Sequence, residues 1–109
     1  MKLDIYDKKV IVKTYEIDKY SLKFGTLKEF FKIINLDDLK TGSDDEIVKL
    51  VAKSIPNSID LINYLIKDMF EEITDEELDN AKIKDIVVLV VDVIKYAITE
   101  MSLGINKKK

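Results

Sequence analysis

Runs of neighbouring carboxylates are the residues of this 109-residue chain best suited to chemistry: Asp37-Asp38, Asp44-Asp45, Glu71-Glu72 and Asp75-Glu76-Glu77. Paired acids can share a proton or hold a hard cation through their oxygens. A calcium loop opened at Asp37 puts Gly42 at the sixth position, where a sharp turn is required. It also puts Leu39 at the third position and Val48 at the twelfth, where oxygen ligands are required, so the pattern fails. Acids at helix starts have a sufficient reason to be there in the helix dipole.

The other usual participants are missing. The chain has no His, no Cys and no Trp, which removes the commonest general base, the commonest metal ligand and the thiol nucleophile. The three glycines are far apart and cannot form a phosphate-cradling loop, and no serine sits in a strained glycine turn. The reading is therefore no enzyme, with no catalytic, cofactor-binding or metal-binding residue to nominate and no cofactor. Without cysteine there are no disulfides, which fits a reducing cytoplasm.

All 18 basic residues are lysine, so bidentate arginine contacts to phosphate or guanine are unavailable. The net charge is −3 but unevenly spread: residues 1–35 carry +3, residues 36–81 carry −9 and residues 82–109 carry +3. The acidic middle reads either as a solvated face or as a surface for a basic partner, another copy included. A lysine patch at Lys2, Lys8, Lys9 and Lys13 is the only hint of nucleic-acid binding, against a pI near 5.0. Such lysines more often guard a sheet edge from aggregation. No stretch is long and apolar enough for a membrane span, and the charged start MKLDIYDKK does not read as a signal peptide.

The elements that must position these residues follow from periodicity. Leu3–Tyr6 and Val10–Ile17, around Asp7-Lys8-Lys9, read as a β-hairpin, with a third short strand open at Tyr20–Phe24. Three S/T-x-x-E capping boxes then mark helix starts at Thr26, Ser43 and Thr74. Pro56 is expected to break or kink the helix that begins at Ser43. The most apolar stretch, KDIVVLVVDVIKYAI from Lys84 to Ile98, reads as a long helix ending near Gly104. Its apolar arc exceeds the roughly 100° that an edge helix needs. Either the helix is central, or part of it is reserved for another chain, with Val88, Leu89, Met101, Leu103 and Ile105 the candidate partner-binding residues.

The expected fold class is α+β: an N-terminal hairpin, then four or five helices, the last long and apolar. Residues 1–105 form one domain and residues 106–109 a disordered lysine tail.

Three strings, YEIDKYSLKFGT (Tyr15–Thr26), LDDLKTGSDDEI (Leu36–Ile47) and ITDEELDNAKIKDI (Ile73–Ile86) running into VIKYAI, resemble the tail assembly chaperones of long-tailed phages and prophages of low-GC Gram-positive bacteria. The resemblance covers nearly the whole chain and carries no catalytic motif. It implies a small non-catalytic α+β protein that binds the tape-measure protein in the host cytoplasm during tail morphogenesis and is absent from the mature virion. It also implies, for many members, a longer frameshifted product that recruits tail tube protein. A homo-oligomer fits the apolar surplus; a membrane partner is not expected. The alternative is a small regulatory or inhibitor protein of a phage or mobile element, docking on a host protein or nucleic acid.

Overall fold

The computed structural model describes residues 1–35, 37, 38 and 42–107, with side-chain surroundings through Met101. An antiparallel hairpin opens the chain, β1 at Lys2–Asp7 and β2 at Val10–Glu16. The turn needs no glycine because Lys8 itself takes a left-handed conformation, φ 58°. An L-residue pays roughly 1–2 kcal/mol for that backbone. The register slips between Ile5 and Tyr6, so Val12 is the extra residue of a bulge.

The two strands meet different surroundings. Leu3 and Ile5 of β1 are buried. Its outer edge is covered by the chain before the last helix: the Tyr6 amide donates to the Asn80 carbonyl at 3.1 Å, and Ile5 bridges Ala81. Only Tyr15 of β2 is buried. Its ring meets Phe70 at 5.6 Å between centroids, and its hydroxyl donates to Glu77 Oε1 at 2.7 Å.

The helices whose bounds are described are α1 at Phe24–Ile33, α2 at Asp44–Met69, α3 at Asp75–Asp79 and α4 at Ile83–Lys107, and Asp37 and Asp38 are also helical. The third strand considered at Tyr20–Phe24 does not form; residues 20–23 are an irregular connection and Phe24 already begins α1. The Thr26 capping box is overturned with it. The N-cap is Lys23, without a side-chain cap, and Thr26 is buried inside α1. The Ser43 and Thr74 starts hold. Ser43 accepts from the Glu46 amide, and Thr74 and Glu77 satisfy each other's backbone amides in a complete box.

Pro56 kinks the helix rather than ending it. Proline lacks the N–H and its ring crowds the carbonyl four residues back. The distortion appears at Ser58 (φ −131°, ψ 16°). Two buried serines take up carbonyls around the kink: Ser54 Oγ donates to the Val51 carbonyl and Ser58 Oγ to the Ser54 carbonyl, both at 2.8 Å. Gly42, ahead of α2, has a packing reason: a Cβ there would lie 2.7 Å from the Asp38 carbonyl oxygen. Helix α4 runs through Lys107, two residues into the segment expected to be a lysine tail; Lys108 and Lys109 lie outside the described residues.

The core is one cluster joining both strands to α1, α2, α3 and α4, with Phe30, Leu65, Ile66, Leu89, Val90, Val93 and Ile94 among its most buried members. Helix α2 presents Ile47, Val51, Ile62, Leu65, Ile66 and Met69 on one face. It packs against α1 and α4, while β1 covers α4 from another side.

Candidate interaction site

Two of the acidic runs begin helices. Asp44, Asp45 and Glu46 occupy the first turn of α2, and Asp75, Glu76 and Glu77 that of α3, where the dipole favours negative charge. Glu71 and Glu72 are exposed in the turn between them. No three acidic side chains converge as a metal site among the described residues. Glu77 joins the hairpin to α3: it accepts from the Tyr15 hydroxyl, from the Thr74 amide at 3.1 Å, and pairs with Lys13 at 3.4 Å. The Tyr15 hydrogen bond above all, then that amide, holds the Glu77 carboxyl below its ordinary range.

A second polar group straps the 17–23 connection across the helices. The Tyr20 hydroxyl donates to Asp68, which also pairs with Lys23 at 3.4 Å, and Ser21 Oγ donates to Glu100 Oε2 at 2.8 Å. Burial, then the Asp68 hydrogen bond, pushes the Tyr20 phenol up. The same hydrogen bond, with Lys23, pulls Asp68 down. The members of both groups bond one another and tie the hairpin and the 17–23 connection to the helices.

The apolar surface is placed differently from the expectation built on the last helix. On a wheel of 100° per residue, the buried residues of α4 from Val87 to Ala97 cover roughly 200°. Leu89 is among them, 1% exposed. It is therefore a core residue rather than a surface candidate, because α2 and β1 together cover a wider arc than one neighbour would. Val88, its neighbour in sequence, is 54% exposed, but Lys84, Asp92 and Lys95 stand around it on the wheel. Met101 is half-buried, and the side chains of Leu103 and Ile105 lie outside the described residues. Leu89 therefore shares no surface strip with Val88.

Two other places do expose neighbouring apolar residues. One is the outer strand, where Val10, Ile11 and Val12 are 65%, 49% and 60% exposed. The other is a groove between α1 and the second half of α2, lined by Gly25, Thr26, Leu61 and Tyr64 with Lys23 and Glu29 at its margins. Phe24, in the same turn as Gly25, is 73% exposed. A second depression, which shares Glu29 and Leu61 with the groove, lies at the kink and is lined by Ile33, Pro56 and Ile59 together with Asn57, Ser58 and Asp60. Gly25 meets nothing within 4 Å of where a Cβ would stand, so packing does not require a glycine there. Single exposed hydrophobes are ordinary, whereas grouped ones mark interaction surfaces.

Reading Tyr20–Phe24 as a strand hid the groove. The signal available was Phe24, Leu27 and Phe31 at helical spacing, one turn ahead of the assumed start. No helix among the described residues is long and apolar enough to cross a membrane. Comparison with family models, curated proteins and solved structures finds no match to this chain.

Proposed function

We propose that this protein is a phage tail assembly chaperone, non-catalytic, that holds the tape-measure protein in the host cytoplasm while the tail is built. The resemblance of the three strings quoted above supports this reading. The observation that carries it is the groove between α1 and α2, lined by Leu61 and the exposed Tyr64. An amphipathic helix of a long client lays its apolar face into a groove of this kind. Lys23 and Glu29 at the margins keep the free protein soluble and orient the client. Many copies on one client gain by multivalency even where each contact is weak.

In this reading the apolar C-terminal helix is chiefly scaffold as far as Ala97. The client surface in this reading is the groove, not this helix. A longer frameshifted product would bring tail tube subunits to the coated client.

The test is co-expression with a long, helical, tape-measure-type protein. Wild type is expected to keep that client in the soluble fraction. Gly25→Gln places a side chain in the groove at a position with open space around it. It is expected to fold normally and lose the client. A client that pellets equally with and without wild-type protein contradicts the chaperone reading. A client kept soluble by Gly25→Gln contradicts the groove.

A further inference from the structure

We infer that the outer edge of the hairpin is a self-pairing site: β2 joins β2 of a second copy, antiparallel, into a four-stranded sheet. This goes beyond client holding and does not depend on it.

The first ground is the state of the two edges. β1 is hydrogen-bonded on both sides, to β2 and at Tyr6 to Asn80. β2 has no strand on its outer side among the described residues. A two-stranded sheet is marginal by itself, and three or more strands are the usual stable unit. β2 gains little from its own core, since only Tyr15 of its seven residues is buried. Its exposed half, Val10-Ile11-Val12, is made of β-branched residues that favour a sheet.

The second ground is charge, and it selects the occupant. Lys8 and Lys9 form the turn just before β2, Glu16 ends the strand and Asp18 follows two residues on, and all four are exposed. A strand basic at one end and acidic at the other is complementary to itself only when antiparallel. Antiparallel pairing about a two-fold axis at Val12 puts Val12 against Val12 and brings the Lys8-Lys9 turn of each copy to the Glu16 end of the other, twice. Cross-strand pairs of opposite charge stabilise a sheet, and like charges oppose it. Lys13, near the axis, is already engaged: its ammonium pairs with Glu77 and lies 4.6 Å from the Tyr15 ring centroid. Its charge is thus partly neutralised within its own chain. A parallel arrangement would set lysine against lysine and acid against acid. A two-fold axis also closes the assembly at two copies, since each β2 has one free edge.

The experiment is charge exchange on the full chain, read by light scattering and sedimentation over a range of concentrations, with helix content checked by circular dichroism. One variant carries Lys8→Glu and Lys9→Glu, the other Glu16→Lys and Asp18→Lys. Wild type is expected to reach the dimer mass as concentration rises. Each variant alone should have a dimer dissociation constant about tenfold or more above wild type. An equimolar mixture of the two should recover a dimer, because both ends of the pair are then opposite in charge. Val12→Lys, on a surface position, should also weaken the dimer while leaving helix content unchanged. A wild type that stays monomeric at its highest soluble concentration overturns the inference. So does a dimer untouched by either reversal, which would place the interface elsewhere, and so does a mixture that fails to pair. A monomer that still keeps its client soluble would overturn self-pairing alone, leaving the chaperone reading in place.

Discussion

Helix α4 and strand β2 are the two regions of this chain with three or more large aliphatic residues in a row, and the fold treats them in opposite ways. Ile86 to Val91 enters a helix covered by α2 and β1, and of its six residues only Val88 is exposed. Val10 to Val12 enters a strand with a free edge, and all three are exposed. The difference lies in neighbours, not in hydropathy. A helix with partners on two sides can bury an arc of about 200°. A strand buries alternate residues on one face, and at the bulged end of β2 that face has little beneath it. An apolar run therefore becomes core or docking surface according to what the rest of the chain can bring over it.

The largest effect expected from that contrast is at adjacent residues of α4. Leu89→Ala should cost about 2–5 kcal/mol of unfolding free energy, whereas Val88→Lys should stay within about 0.5 kcal/mol. Chemical denaturation measures both, and equal losses would mean that α4 is not enclosed as described. Next is the junction that seats the hairpin. Thr74→Ala removes one half of the capping box beside Glu77 and should cost about 1 kcal/mol by the same measurement. Gly25→Ala acts in the opposite direction. It replaces a helical glycine where a Cβ meets open space, and should raise stability by about 0.5–1 kcal/mol. A loss there would mean that the groove floor is packed.

The pH effects are the smallest, because the groups are only partly buried and solvent screens them. Glu77 and Asp68 have folded-state pKa values below their ordinary ones. Their contribution is present above the unfolded values of about 4 and is lost as pH falls through the lower folded values. Tyr20 and Lys23 are raised. Their contribution is complete below about pH 10 and is lost as pH rises through the folded values. Thermal melts of Tyr20→Phe should show a flatter alkaline decline than wild type; an unchanged decline would remove Tyr20 as its source.

Much of the fold was legible because local chemistry determined it. The hairpin strands fall within a residue or two of the expected bounds, and the Thr74 box starts α3 as its residues suggest. What could not be read depended on contacts remote in sequence. Thr26-x-x-Glu29 has the letters of a cap, yet α1 begins at Phe24 and buries Thr26. Pro56 reads as a break or a kink, and it is the surrounding packing, with serine hydroxyls bonded to carbonyls, that makes it the kink at Ser58. Leu89 stood beside polar positions on the wheel, and only the second covering element, β1, decides that it is buried. The groove needs α1 beside α2, which no local pattern shows.

Hydrogen exchange of the protein with and without a tape-measure segment tests the central claim most directly: the client-facing apolar surface is the α1–α2 groove, not the last helix. The account predicts slowed exchange at residues 24–33 and 56–64 on adding the segment, with residues 86–97 unchanged. Protection confined to the last helix, or none anywhere, would contradict it.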